Sequence, residues 1–198
     1  MAKITYSAKF DNVTSDLPRI NKVIAADMNE IKDSVNALYE SIGGWVDYED
    51  SATSVTPINL TANVWTDLTN DKAGSGTITT YKPSFITGDL WNSASNSLDF
   101  TEVGSGRIMI VRNDFDITAG AANTRIDARL YFPDTAKSIE FMHDNIASNN
   151  DLVRYSRTTQ LFTFTDVLTS GCKIQVRADK SGATATVENF LITLISNF

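Results

Sequence analysis

From Ile58 onward, short segments rich in β-branched and aromatic residues alternate with turn signals. The predicted strands lie in the segments "INLTANVWTDLTN", "GTITTYKPSF" (residues 76–85), "NSLDFTEV", "GRIMIVRNDFDIT", "TRIDARLYF", "TTQLFTFTDVL", "CKIQVRAD" and "ATATVENFLITLI". The breaks between segments read "NDKAGSG", "VGSG", "TAGAAN", "SNND" and "DKSG". β-branched and aromatic side chains favour strands, whereas glycine, asparagine and aspartate favour turns. The alternation predicts roughly eight to ten strands, which is typical of a mainly β fold, an antiparallel sandwich of the jelly-roll type.

One predicted strand shows how such a sandwich divides its side chains. In "RIDARLYF", the apolar residues alternate with Asp127, Arg129 and Tyr131. An alternation with a period of two places one set of side chains on a buried face and the other on a solvent face. We therefore expect this strand to lie in a sheet with one wet face.

The final predicted strand is apolar on both faces. Because successive side chains point to opposite sides, Phe190, Ile192 and Leu194 share one face, and Leu191 and Ile195 share the other. A two-layer sandwich covers one face of each sheet, so the second face needs another subunit or a covering segment. We expect one set to lie at a subunit interface near a symmetry axis, and a bulge near residues 188–189 would decide which.

The stretch from Ile24 to Gly44 is predicted to form a helix, with Asp27 as N-cap and Gly43-Gly44 as C-cap. Its apolar residues recur at alternating spacings of four and three, as in the seam of a coiled coil: Ile24, Met28, Ile31, Val35, Leu38 and Ile42. So short a helix is marginal alone, and it packs either on its own β domain or on copies of itself. Together with the final strand, the seam favours a symmetric homo-oligomer whose subunit number the seam residues leave open.

The residues before the helix form a separate segment. We interpret residues 1–23 as a leader in which Pro18 interrupts any helix and apolar residues are scattered among polar ones. It is either a peptide that docks on another protein or an arm folded on its own neighbours. The candidate docking residues are Ile4, Tyr6, Phe10, Val13, Leu17 and Ile20.

The remaining boundaries follow from composition. The acidic, Ser/Thr-rich stretch 45–57, which ends in Pro57, is predicted to be a linker, and residues 58–198 form the β domain, here called the knob.

Composition excludes several classes of function. The 198 residues contain one cysteine and one histidine, which leaves little material for disulfides, His-rich metal sites or Ser-His and Cys-His catalysis. A net charge of −7 argues against a nucleic-acid partner. The start lacks an apolar signal region and no long apolar run occurs, so we expect neither secretion by a signal peptide nor membrane insertion. We expect no cofactor and no enzymatic activity.

Individual candidate sites are weak. His143 has no second ligand at a metal-binding spacing and is interpreted as a loop residue. Asp114 and Asp116 share one strand face, as a calcium site or a carboxylate pair would, but partners of basic groups across strands are the simpler interpretation. The "GSG" of residues 104–106 precedes a strand and is interpreted as a hairpin turn, and Cys172 as a small core residue.

Two further patterns concern sugars, as attached glycans or as ligands. The sequons at Asn12 and Asn59 lack the secretory context that glycosylation requires. Flat amphipathic rings serve sugar contacts, although burial in a core or an interface is the competing explanation for each. The candidate glycan contacts are Trp65, Tyr81, Trp91 and Tyr155.

Several stretches resemble a known family. "ADMNEIKDSVNALYES" after a short leader resembles the start of bacteriophage fibre and structural proteins, and "PINLTANVWTDLTND", "LWNSASNSLDFTEVGSGRIMIVRNDFDIT" and "TATVENFLITLI" resemble phage head domains with a TNF/C1q-like trimeric jelly roll. The resemblance implies a homotrimer with its last strand near the three-fold axis, an N-terminal segment joined to another virion protein, and an exposed face that contacts the host. It carries no catalytic or ligand residues.

The sequence therefore predicts a homotrimeric protein of the virion surface, made in the host cytoplasm: a head fibre, capsid decoration or small spike. The alternative is a tail fibre or tail spike that recognises a bacterial surface glycan. A cytosolic carbohydrate-binding or signalling jelly roll is a third, more remote class.

Overall fold

A computed structural model describes residues 25–41, 43–163 and 171–195 of the chain. The chain divides into two compact units, Met1–Ile42 and Gly43–Phe198. Two of the predicted seam residues, Ile24 and Ile42, lie outside the described residues. So do the predicted docking residues Ile4, Tyr6, Phe10, Val13, Leu17 and Ile20.

The first unit contributes helix α1, Ala25–Ser41. The helix begins before Asp27, so this residue lies in its first turn and is not the predicted N-cap. Ala25 and Ala26 explain the earlier start, because alanine has the highest helix propensity. Of the predicted seam, Ile31 is 54% and Val35 is 42% exposed, and Met28 is half-buried. A membrane-spanning helix is not found in the part of the chain that the structure describes.

The second unit begins with strand β1, Gly44–Glu49, in the stretch predicted to be a linker. That prediction is wrong, because Val46 and Tyr48 are core residues and β1 pairs with the final strand along its whole length. The acidic residues that suggested a linker alternate with these buried ones. Gly44 is required here, since a Cβ atom at this position would lie 2.4 Å from the carbonyl oxygen of Tyr81.

Short elements follow β1, and long strands form the rest of the knob. The helical turn α2 is Ala52–Val55, and the short strands are β2 (Ile58–Leu60), β3 (Thr66–Asp67), β4 (Trp91–Asn92) and β5 (Ser97–Leu98). The long strands are β6 (Ile108–Thr118), β7 (Thr124–Phe132), β8 (Lys137–Ile146), β9 (Leu152–Phe162), β10 (Lys173–Ala178) and β11 (Ala183–Ile195). A 3-10 turn, Pro133–Thr135, joins β7 to β8.

Two antiparallel sheets face each other, and β4 pairs with β5 in a separate two-stranded sheet. The larger sheet has the order β1-β11-β6-β9, with β2 also paired to β11, and the smaller sheet has the order β3-β10-β7-β8. From β6 to β11 the chain passes repeatedly between the two sheets. The predicted class, a mainly β antiparallel sandwich of the jelly-roll type, is confirmed.

The core lies between the sheets. Met109, Val111 and Phe115 from β6 meet Ile126 and Leu130 from β7, and all five are fully buried. In β7 the outward residues are Asp127, Arg129 and Tyr131, so the predicted alternation of this strand is confirmed.

Two segments differ from the sequence prediction. The sequence prediction does not include strand β8. Most residues of this strand are polar and exposed, so its sequence shows no clear alternation of apolar and polar residues. Conversely, the predicted strand over residues 76–85 is an irregular connection with one isolated bridge, between Ile78 and Asp47.

Candidate functional site

The outer face of the larger sheet is apolar at one end. In β11, Phe190, Ile192 and Leu194 point into the core with at most 2% exposure, and Leu191 and Ile195 are half-buried on the outer face. A bulge between Val187 and Asn189 shifts the alternation of side chains by one residue. Val187 before the bulge and Phe190 after it therefore both face the core. Of the five predicted interface residues, the outer face therefore carries Leu191 and Ile195.

Neighbouring strands extend this apolar surface. Ile195 lies opposite Ile108, and the adjacent pair on β11 and β6 is Thr193 and Ile110. Thr193 also lies opposite Trp45 of β1, whose ring stacks on Tyr81 with centroids 4.8 Å apart. We call this set the apolar face: Trp45, Ile108, Ile110, Leu191 and Ile195.

The other end of the same sheet face is acidic. A groove of about 790 Å³ is lined by six carboxylate residues, Asp47, Glu49, Asp50, Asp114, Asp116 and Glu188, together with Ser54, Gly76, Thr186, Val187 and Asn189. We call it the acidic groove.

Two arginines neutralise part of the acidic groove. Arg112 Nε donates to Asp114 Oδ2 at 2.9 Å, and Arg154 lies 3.2 Å from Asp116 and 2.9 Å from Glu188. The simpler interpretation of Asp114 and Asp116, as partners of basic groups, agrees with this geometry. Among the described residues, no three His, Cys, Asp or Glu side chains converge as metal ligands.

Asp47 is the perturbed acid of the acidic groove. Asn189 Nδ2 donates to both of its carboxylate oxygens, at 2.9 and 3.1 Å. Burial raises the pKa of Asp47, against the lowering effects of Asn189 and Arg112, and the charges of Asp114 and Glu49 raise it further. Asp114 Oδ1 is buried without a hydrogen-bond partner among the described residues. The sheet therefore holds crowded negative charge next to the apolar face.

The outer face of the smaller sheet carries a cluster of aromatic and cationic side chains. The guanidinium carbon of Arg129 lies 4.2 Å from the Trp65 ring centroid and 4.7 Å from that of Tyr131, and Arg177 lies 4.6 Å from Trp65. Arg129 Nε donates to Gln175 Oε1 at 2.8 Å. We call these residues the Trp65 cluster: Trp65, Arg129, Tyr131, Gln175 and Arg177.

Asp127 lies beside the Trp65 cluster and is 2% exposed. Its Oδ2 accepts a hydrogen bond from Arg177 Nη2 at 2.6 Å and lies 3.1 Å from Arg125 Nη2, and its Oδ1 lies 2.8 Å from His143 Nδ1. Burial would raise its pKa, but the hydrogen bonds from Arg177 and His143 and the charge of Arg125 hold that pKa below its usual range. His143 therefore belongs to strand β8 and to this ion-pair network, and its interpretation as a loop residue is wrong.

The four aromatic residues predicted as glycan contacts separate by burial. Trp91 is fully buried and Tyr155 is 2% exposed, so neither ring can reach a ligand from solvent. Tyr81 is 58% exposed, although one face of its ring stacks on Trp45, and Trp65 is half-buried in the cluster described above. Trp65 and Tyr81 lie far apart in the chain, and the structure gives no contact between them.

The remaining candidates are structural. Gly104 and Gly106 have φ values of 77° and 80° at a turn before β6, which fits the predicted turn. Cys172 is fully buried, and burial raises the pKa of its thiol. The predicted core role of this cysteine agrees with the structure.

Sequence reasoning missed the acidic groove, and it named Trp65, Arg129 and Tyr131 without predicting that they meet in one cluster. The alternation of "RIDARLYF" marked Arg129 and Tyr131 as outward, and the same rule applied to "KIQVRA" marks Gln175 and Arg177. Their meeting with Trp65 depends on the pairing of β3, β10 and β7, which is a long-range property.

No protein-family model matches the chain, and no curated protein matches it. By fold it belongs to the antiparallel jelly-roll sandwiches, as its strand order shows. Solved structures that it is similar to include the PRD1 vertex protein P5, with 15% identity over 79% of this chain and 73% of that one and a TM-score of 0.38. Murine APRIL has 9% identity over 78% and 99% of the two chains, with a TM-score of 0.40. The xylan-binding module CBM15 has 13% identity over 78% and 93%, with a TM-score of 0.33.

Proposed function

We propose that this chain is a structural protein of a bacteriophage virion surface that assembles as a homotrimer. The apolar face and helix α1 form the contacts between copies, the leader of residues 1–23 joins another virion protein, and the knob is exposed to the host. The role is mechanical attachment rather than catalysis. The alternative function is that of a tail fibre or tail spike that recognises a surface glycan.

One observation carries this proposal: the outer face of the final strand is apolar at its C-terminal end, although the sandwich core is already complete without that surface. Ile195 lies opposite Ile108 of β6, and Leu191, whose register neighbours are Asp47 and Arg112, lies on the same outer face of β11. Such a surface gains about 25 cal/mol for each Å² of apolar area removed from water. Copies related by rotation bring the same apolar residues together, which is how closed homo-oligomers bury a shared patch.

Helix α1 supports the same assembly from an independent element. Ile31 and Val35 lie one turn apart on the heptad seam and are exposed. A short amphipathic helix gains most of its stability from packing its apolar stripe. Copies of α1 are suitable partners because each presents the same seam.

Sedimentation of the full chain and two variants tests the trimer. Leu191→Asp places a charge on the apolar face, so we expect its association to weaken by about tenfold or more. Ser138→Asp adds the same charge to an exposed position on β8 of the other sheet and leaves association unchanged. A monomeric wild-type protein at micromolar concentration contradicts the proposal. A charge at Ile192 would not test the interface, because Ile192 lies in the core and Ile192→Lys would disrupt the fold itself.

The location of the chain in the particle separates the two functions. Cryo-electron microscopy of the virion, with an antibody against the knob, is expected to show it on the capsid surface. A position at the tail tip supports the alternative receptor-binding role, and absence from the particle contradicts both.

A further inference from the structure

The Trp65 cluster contains a cationic group that the surrounding side chains leave without an acidic partner. Arg129 Nε donates to Gln175, but the two terminal nitrogens of its guanidinium have no acceptor among the described residues. Partial burial lowers the pKa of Arg129, against the raising effects of Tyr131, Glu140 and Asp67. Four N–H bonds of a planar fork are therefore available to a ligand.

Nearby carboxylates are already occupied. Asp67 receives hydrogen bonds from Lys173 Nζ at 2.5 Å and from Gln175 Nε2 at 2.7 Å. Asp127 is surrounded by Arg125, His143 and Arg177, as described above. Glu140 lies opposite Arg129 in the sheet register, yet its carboxylate lies 3.2 Å from His143 Nε2. Glu140 and Asp67 thus act on Arg129 through their charges, but neither carboxylate forms an ion pair with its terminal nitrogens.

The surroundings of Arg129 define the ligand. A guanidinium fork binds a carboxylate or phosphate with two parallel hydrogen bonds. Trp65 and Tyr131, both half-buried on the same sheet face, supply flat amphipathic rings of the kind that contact sugar rings. The charges of Glu140 and Asp67, which act on Arg129, disfavour a polymer with dense negative charge, such as a nucleic acid, and favour widely spaced single charges.

We propose that the outer face of the smaller sheet, centred on Arg129 and Trp65, binds an anionic polysaccharide whose carboxylate or phosphate groups are separated by sugar units. Arg129 holds the acidic group, and the rings of Trp65 and Tyr131 contact the adjoining sugar. This inference rests on the proposed surface role for its biological setting. The binding itself requires neither the trimer nor the virion, and the site lies on the sheet opposite to the apolar face.

Binding of the full chain to immobilised polymers tests the proposal. The probes are polygalacturonate for the carboxylate source, a glycerol-phosphate teichoic acid for the phosphate source, neutral dextran, and an oligothymidylate. We expect binding to one or both anionic sugar polymers and none to dextran. The stronger of the two identifies the acidic group. Failure of both to bind, equal binding of dextran, or stronger binding of the oligothymidylate overturns the proposal.

Matched variants locate the site. Arg129→Gln is expected to lower affinity by about tenfold or more, because the bidentate contact is lost. Arg154→Gln removes the same charge from the opposite sheet and keeps wild-type affinity. Arg129→Lys, which preserves charge and the packed stem but not the fork, is expected to bind at an intermediate level and also serves if Arg129→Gln fails to fold. Equal loss in the Arg129 and Arg154 variants, or wild-type binding by both Arg129 variants, overturns the assignment.

Discussion

Trp91 shows how single residues connect the small β4-β5 sheet to the main core. Its Nε1 donates to the carbonyl oxygen of Asn70 at 2.8 Å, and its ring meets Phe190 edge to face with centroids 4.8 Å apart. Asn70 Nδ2 in turn donates to the carbonyl oxygen of Tyr48. Burial raises the pKa of Tyr48 to about 12, so its hydroxyl remains protonated. Polar groups in this part of the core are thus satisfied by one another.

Replacement of Trp91 tests this connection. Trp91→Phe leaves a cavity and an unpaired carbonyl at Asn70, so we expect the free energy of unfolding to fall by about 2 kcal/mol. Chemical denaturation provides the measurement. Trp65→Phe, the same substitution on the half-buried outer face, is expected to cost less than about 1 kcal/mol. Equal effects of the two variants would contradict the assigned role of Trp91.

The raised pKa of Asp47 gives a pH dependence of stability. The pKa of Asp47 is higher in the folded protein than in the unfolded chain. As pH falls, the folded protein therefore takes up a proton on Asp47 before the unfolded chain does. The Asp47 charge destabilises the folded protein most at higher pH, where the carboxyl is ionised in both the folded and the unfolded protein. Arg112, Asn189, Asp114 and Glu49 surround it.

Asp47→Asn is therefore expected to unfold at a higher temperature than the wild type at pH 7. The difference shrinks as pH falls through the raised folded-state pKa of Asp47, because the wild-type carboxyl then takes up a proton in the folded state. Thermal unfolding across this range checks the expectation. Asp134→Asn, which removes a charge from an exposed position outside the acidic groove, is the control. A constant difference between Asp47→Asn and wild type would contradict it.

Residue positions could be predicted from the sequence where local alternation decides them. The outward position of Arg129 follows from the period of two in β7. The burial of Trp91 does not follow from local alternation, because its strand β4 is only two residues long. Its partners Asn70 and Phe190 are also distant in the chain. The crowding of Asp47 and Asp114 likewise depends on the placement of β1 and β6 on either side of β11.

At the scale of elements, the sequence predicts which strands are apolar but not how the strands pair or where their register shifts. The two apolar faces of β11 were evident from its residues, whereas the bulge after Val187 decided which set entered the core. Strand β1 was mistaken for a linker because Asp47 and Glu49 alternate with buried Val46 and Tyr48. The stretch is a strand because it pairs with β11, and this long-range pairing cannot be predicted from the local sequence.

Helix α1 carries a testable prediction of its own. Ile31→Asp places a carboxylate on the predicted seam, so we expect weaker association of the full chain by about tenfold or more. Ser34→Asp adds the same charge to an exposed position beside the seam and has a smaller effect. Sedimentation equilibrium compares the two. Equal behaviour of both variants contradicts the coiled-coil interpretation.

At the scale of the whole molecule, the docking role proposed for residues 1–23 can be tested separately from the knob. Deletion of residues 1–20 removes the six predicted docking residues. We expect the shortened protein to keep its thermal unfolding temperature and its oligomeric state, because the sandwich core is built from residues after Gly43.

Incorporation into particles provides the measurement for this deletion. Phage produced with the shortened chain are expected to lack it, as judged by immunoblotting of purified virions, whereas full-length protein is retained. Unfolding of the knob after the deletion would show that the leader is an internal arm, and normal incorporation would contradict the docking role.

The antiparallel pairing of β1 with β11 has a mechanical consequence. The chain enters the knob at Gly44, which lies opposite Leu194, and β1 then runs toward the far end where the turns between β6 and β7 and between β8 and β9 meet. A pull on the entering chain, resisted at those distant turns, acts along β1 and perpendicular to its hydrogen bonds. All six residue pairs from Gly44 to Glu49 are then strained together in shear, so a tethered knob resists detachment far better than one peeled open pair by pair.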